Sequence, residues 1–264
     1  MQTEKSITSF DSCFMLPVQR GKAGSLRDFW DDAGEKYGTD TDGHFKLFGV
    51  QKLLAFMQTM PDDREYLVMY MRTSDTLDKT LKGLFGKDLK CSKHLTSRFK
   101  DFTGVDLSKS ENLPRLERLF DWKETREFLE ERQMNKMPWC STAPILPGKT
   151  QATMKYMKDA MSRRSEWEKL LRDHDVVRNL AFIQHTSQGD YVVKYTVASS
   201  PLADLVTAFT SCSHEMCNTA RSMAKELTGL DMTNQKNMPD LKLLFKWDDT
   251  VGFQTAEQSI AYTE

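Results

Sequence analysis

Pro201-Leu-Ala-Asp-Leu-Val-Thr-Ala-Phe209-Thr-Ser-Cys212-Ser-His-Glu-Met216-Cys-Asn-Thr-Ala220-Arg-Ser-Met223-Ala-Lys-Glu-Leu227-Thr228 is the stretch from which the fold is read. Leu202, Leu205, Phe209, Cys212, Met216, Ala220, Met223 and Leu227 recur every three or four residues and trace one stripe, the mark of an amphipathic helix. Upstream, helical spacing continues. Ser25-Leu-Arg-Asp28 supplies a cap and an acid for a helix to Tyr37, and residues 44–58 place Leu47, Val50, Leu54 and Met57 on one face. Pro61-Asp-Asp63 opens a helix carrying Leu67, Met69, Tyr70 and Met71, and Leu77, Leu81, Leu84 and Phe85 form a further stripe that ends at Gly86. Residues 92–103, 113–134 and 150–178 continue the pattern. The one departure is 181–197, where Ala181-Phe-Ile-Gln-His185 and Tyr191-Val-Val-Lys-Tyr-Thr-Val197 flank Gly189-Asp190 and leave room for a small β-hairpin.

The 264 residues include only 13 glycines and 8 prolines against 15 methionines, which agrees with long helices rather than many turns. The expected fold is therefore all-α, as two packed helical bundles. One bundle covers 1–135, a linker covers 136–149 where Pro138, Pro144, Pro147 and Gly148 cluster, a second bundle covers 150–230, and a helix and tail complete 231–264. No internal repeat is visible. Neither an apolar run of membrane-spanning length nor the apolar core of a signal peptide is present.

Charge says more than motifs. The 37 Lys plus Arg and 38 Asp plus Glu give a net −1, which excludes a uniformly basic coat. Yet Lys79, Lys82, Lys87, Lys90, Lys93, Arg98 and Lys100 face the single acid Asp88, so 79–100 carries +6, and Lys149, Lys155, Lys158, Arg163 and Arg164 against Asp159 give 149–164 a charge of +4. The remainder carries −11. Two local basic patches on a neutral chain suit an anionic membrane or a nucleic acid.

Gly148-Lys149-Thr150 resembles the end of a phosphate loop, but Ala143 stands where that loop needs glycine. No catalytic motif, metal site or cofactor site is indicated. The five cysteines, Cys13, Cys91, Cys140, Cys212 and Cys217, form no CxxC pair and suggest buried thiols in a reducing compartment. On one continuous helix Cys212 and His214 would point about 160° apart, at roughly 100° per residue, and could not share a metal.

Two stretches resemble the matrix proteins of influenza-type viruses. Phe56-Met-Gln-Thr59-Met60-Pro61-Asp-Asp63-Arg64 is similar to that family's Phe-x-x-Thr-apolar-Pro-x-acid-Arg at a helix junction. From Tyr195, the acid Asp204, apolar Leu205, thiol Cys212 and acid Glu215 are similar to a later helix of its N-terminal domain. The family's histidine pair is absent after Cys217, so its zinc motif does not carry over. The degree of divergence fits a thogotovirus-like member of the orthomyxovirus family. The resemblance implies a non-enzymatic matrix protein that self-associates into an oligomeric layer beneath the virion envelope. It also implies binding to anionic lipid and to the viral ribonucleoprotein or RNA through the two basic patches, no small-molecule substrate, and location in the virion and at host cytoplasm, plasma membrane and nucleus. His94, inside the first patch, would loosen such a layer in acid. An RNA-binding nucleoprotein or scaffold is the alternative, and an enzyme of unrecognised family, marked by a pocket with converging polar groups, is the second alternative.

Overall fold

The computed structural model describes residues 9–36, 38–125 and 136–255. The fold is mixed α/β, with 41% helix and 34% strand, and the all-α expectation is corrected. In chain order it comprises β1 (Phe10–Pro17), α1 (Ala23–Lys36), α2 (Gly38–Leu47), β2 (Val50–Thr59), β3 (Glu65–Thr73), α3 (Leu77–Gly86), α4 (Lys90–Thr103) and β4 (Arg115–Lys123). There follow β5 (Met137–Pro144), α5 (Thr150–Ser162), α6 (Arg164–Asp173), β6 (Val176–Thr186), β7 (Gly189–Ala198), α7 (Leu202–Ser211), α8 (Glu215–Thr228), β8 (Asp240–Asp248) and β9 (Gly252–Thr255). Two antiparallel sheets, ordered β1-β3-β2-β8-β9 and β4-β6-β7-β5, pack face to face with helices on their outer faces.

That layering explains why strands resemble helices in the sequence. A strand between a second sheet and a helix layer is buried on both faces, so it loses its alternation and becomes a continuous apolar run. Leu53 to Met57 of β2 and Tyr66 to Met71 of β3 are buried throughout. Residues 44–58, expected as one helix, are split between α2 and β2, and the matrix-like Phe56–Arg64 stretch is a strand end and a turn. The stretch that permitted a hairpin forms β6 and β7 at the centre of a sheet. Residues 137–144, inside the expected linker, form β5. Of the helix expected over 113–134, 115–123 is β4 and 126–134 lies outside the described residues. In place of a C-terminal helix stand β8 and β9, with 256–264 likewise outside.

The element order is a repeat. β1-α1-α2-β2-β3-α3-α4-β4 is followed by β5-α5-α6-β6-β7-α7-α8-β8, and the last strand of each repeat joins the other repeat's sheet. The register carries the same signature: a bulge beside Phe120 in β4 against β6 recurs beside Phe245 in β8 against β2. Local chemistry repeats as well. Thr103-Gly-Val-Asp106 and Thr228-Gly-Leu-Asp231 end α4 and α8 with a glycine at φ 72° and 75°, a left-handed conformation that favours glycine. In both, the threonine hydroxyl caps back onto the helix, and an asparagine (Asn112, Asn237) donates to the aspartate carbonyl.

Equivalent residues meet between the sheets. Tyr70 stacks on Tyr195 at 3.8 Å, and Tyr66 meets Tyr191 edge-on at 5.7 Å. The Gln58 side chain bonds the backbone N–H and C=O of Thr142, while Gln184 does the same to Met15. Cys13 and Cys140 are buried thiols in contact, and burial pushes that of Cys140 up. At one edge Asp11 accepts from Tyr70, Arg72 and Arg178, and Arg178 also donates to Asp121. Burial alone would raise the pKa of Asp11, but these donors more than offset it and hold the carboxyl below its usual range.

Candidate functional site

Superposing the repeats by register exposes one difference in chemistry. Leu53-Leu-Ala-Phe-Met-Gln58 corresponds to Asn179-Leu-Ala-Phe-Ile-Gln184, and Tyr66-Leu-Val-Met-Tyr-Met71 to Tyr191-Val-Val-Lys-Tyr-Thr196. Residues facing the other sheet are largely retained (Leu54 and Leu180, Phe56 and Phe182, Tyr70 and Tyr195), because both repeats build the same interface. The changes fall on the helix-facing side.

In the first repeat that side is apolar. Phe14, Met69 and Ala55 form one cross-strand row, with Met71 and Leu53 in the next. Helices α1 to α4 seal it with Trp30, Phe45, Leu81, Leu84, Leu95 and Phe99. Only a cavity of about 20 Å³ remains, with an entirely apolar lining. A void of that size and character stays dry.

In the second repeat the equivalent rows read Ser141, Lys194, Ala181 and Phe120, then Trp139, Thr196, Asn179 and Trp122. A serine, a lysine, a threonine and an asparagine thus replace Phe14, Met69, Met71 and Leu53. The cover differs too: α5 and α6 contribute the small clusters Phe120–Met157–Ala181 and Leu170–Met216–Cys217, Leu171 of α6 joins Trp122 and Trp139 in the larger core cluster, and α7 buries no residue. Lys194 is exposed to solvent, yet crowding by protein atoms lowers its pKa by desolvation. Its ammonium has no carboxylate partner among the described residues. The buried Asn179 Oδ1 and the buried Trp167 Nε1, on α6, are an acceptor and a donor without partners, and Tyr156 packs over Ala181 beside the lysine. Burial pushes the Tyr156 hydroxyl up.

Farther along the same face of β7, four residues from Lys194 and so about 13 Å away at strand rise, Asp190 accepts from Thr150 and is 2.9 Å from His185 Nδ1. Burial tends to raise the Asp190 pKa, but the bonds to Thr150 and His185 leave it lowered. A carboxylate-oriented imidazole at the rim could relay a proton.

The residues singled out from charge are not brought together. Lys79 and Lys82 on α3, Lys87 in the following turn, and Lys90, Lys93, Arg98 and Lys100 on α4 cover the first sheet, whereas Lys149, Lys155, Lys158, Arg163 and Arg164 belong to the layer over the second. Many are paired: Lys79 with Asp75, Lys82 with Asp78, Lys93 with Asp88, Lys100 with Asp106, Lys149 with Glu226, Arg163 with Glu166 and Arg164 with Glu168. Arg98 lies over the rings of Phe29 and Phe102. His94 has its pKa lowered by burial and by Arg98. The charge search passed over Lys194 because it is a single base. The signal for it was a lysine between Val193 and Tyr195 in a β-branched run.

The 201–228 stripe is two helices. Ser211 ends α7, and His214 caps α8 by accepting from the Met216 N–H, so the angular argument about Cys212 and His214 does not apply. Cys212 and Cys217 are disulfide-bonded.

No protein-family model matches the chain, and no curated protein matches its sequence. Similar solved structures include a candidate monooxygenase from Fusobacterium nucleatum (11% identity, 95% of this chain and 98% of that one, TM-score 0.46). An anthrone oxidase-like protein shares 9% identity over 95% and 92% (TM-score 0.47), and a candidate monooxygenase from Lactobacillus acidophilus shares 7% over 94% and 97% (TM-score 0.39). At these values the likeness carries no argument about activity. None of the three is a matrix protein. The matrix resemblance, the non-enzymatic layer-forming role and the virion location are therefore corrected: they depended on helical bundles, and two sheets stand in their place.

Proposed function

We propose that the chain is an enzyme whose active site is the polar patch around Lys194 on the helix-facing side of the second sheet. Its substrate is a small planar organic molecule with an acidic hydroxyl, an enol or a phenol. One observation carries the reading: at equivalent positions of a duplicated framework, the first repeat is filled with apolar side chains while the second presents Lys194, Asn179, Thr196 and Ser141. An unpaired ammonium in a desolvated site is costly until an anion joins it. An enolate or phenolate oxygen supplies that charge, and Asn179 Oδ1, in the neighbouring cross-strand row, can accept from a second hydroxyl. Holding the oxyanion beside the ammonium lowers the pKa of the bound hydroxyl, whose proton leaves to water; His185 with Asp190, about 13 Å along the strand at its usual rise, is too far away to take it directly.

Titration of a nitrophenol-class indicator with and without protein tests this. Binding should lower the indicator's apparent pKa by about one unit or more, and Lys194→Met, which installs the first repeat's residue, should remove the shift. Binding without a shift, or an equal shift in Lys194→Met, would overturn the assignment.

A further inference from the structure

The corner between α7 and α8 gathers three soft-metal ligands that are dispersed in the sequence. Cys212 directly follows α7, Cys217 lies fully buried in the first turn of α8, and His174 directly follows α6. Both sulfurs and a ring nitrogen of His174 lie within 4.8 Å of one another. His174 Nδ1 is 3.0 Å from the Leu170 carbonyl. Because a carbonyl only accepts, Nδ1 carries the proton and Nε2 keeps its lone pair, the arrangement by which proteins orient a metal-binding histidine. Arg221 donates to the carbonyls of Phe209 and Cys212, so the loop carrying the first cysteine is held independently of the sulfurs. Leu170, Met216, Trp167 and Phe209 enclose the cluster.

We propose that Cys212, Cys217 and His174 form a redox-gated site for one divalent cation of the zinc class, the disulfide being its oxidised, metal-free state. Two thiolates and one imidazole match a three-ligand zinc set with water in the fourth position. The chemistry balances. A dithiol reductant passes two electrons and two protons to the Cys212–Cys217 disulfide and becomes a disulfide itself. The two thiols then release two protons as both sulfurs bind the cation, with Nε2 of His174 as third ligand. Oxidation by a disulfide reverses the sequence and expels the metal. The disulfide links only the two cysteines of the α7–α8 corner, whereas the metal would tie that corner to His174 at the end of α6, the helix that carries Trp167.

The test uses the full chain, reduced with a phosphine under anaerobic conditions and titrated with Co²⁺, then Zn²⁺. The expected result is one cobalt per chain with sulfur-to-cobalt charge transfer and intense visible bands of tetrahedral Co²⁺. Zn²⁺ should abolish these bands and protect Cys212 and Cys217, but not Cys91, from alkylation. Oxidised protein should show no bands. His174→Ala, which leaves both thiols, should weaken binding by at least about a hundredfold, and Cys212→Ser should eliminate it, with circular dichroism confirming that each variant is folded. Absence of charge transfer in reduced wild type, or equal affinity in folded His174→Ala, would overturn the proposal.

Discussion

Lys194 and Met69 occupy the same position in two repeats, and the difference between them separates stability from function. An exchange at either site therefore has a calculable direction. Met69→Lys would place an ammonium in the sealed first-repeat core, where Phe14, Leu53 and Met71 offer no partner and helices exclude water. The expected loss is about 3 kcal/mol or more. Lys194→Met removes an unpaired, desolvated charge and should leave stability unchanged or raise it, as functional residues often cost stability. Urea denaturation of both variants provides the measurement, and a stabilised Met69→Lys protein would contradict the apolar reading of the first recess. The sequence held the local clue, since the alternation of Val193, Lys194 and Tyr195 requires a strand with one polar face. What it lacked was the geometry that makes the face a floor rather than a solvated edge.

Among the elements, β2 and β6 each help hold the sheets together through one amide. Gln184 on β6 spans to β1 and satisfies both the N–H and the C=O of Met15, and Gln58 on β2 mirrors it on Thr142 of β5. Removing either leaves two buried backbone groups without partners, each costing about 1–3 kcal/mol. Gln184→Ala should therefore destabilise by roughly 2 kcal/mol or more, measurable by chemical denaturation. A loss below about 0.5 kcal/mol would mean that water replaces the amide. These elements were hard to read because burial on both faces erased the two-residue period: Leu53 to Met57 fits a helix stripe as readily as a core strand. Most helices were legible in outline, because they present one face to solvent. β6 and β7 were legible as a hairpin because Ser187-Gln-Gly-Asp190 marks their turn and polar residues interrupt the helix-facing side. The same polar residues define the candidate site.

For the whole molecule, the deciding feature is a duplication that the sequence does display. Thr103-Gly-Val-Asp106 through Phe120-Asp-Trp122 recurs as Thr228-Gly-Leu-Asp231 through Phe245-Lys-Trp247, with Asn112 and Pro114 matched by Asn237 and Pro239. Reading for hydrophobic period alone passes over it, whereas aligning the chain against itself finds it. Because the last strand of each repeat completes the other repeat's sheet, neither repeat is a self-sufficient unit. Residues 1–125 alone would have β4 with no β6 to pair, and an uncovered inner face displaying Phe56, Tyr66 and Tyr70. An exposed apolar face and unpaired strand edges drive association. Produced separately, 1–125 and 136–264 should each aggregate or form symmetric dimers by exchanging β4 or β8, since the two strands share register and bulge. Produced together, they should form a one-to-one complex that restores both sheets, detectable by light scattering coupled to size exclusion. Only that complex should recover the indicator shift, because the cross-strand rows around Lys194 take Phe120 and Trp122 from β4. A folded, monomeric 1–125 would show instead that β4 can close its own repeat and that the strand exchange is not required for the fold.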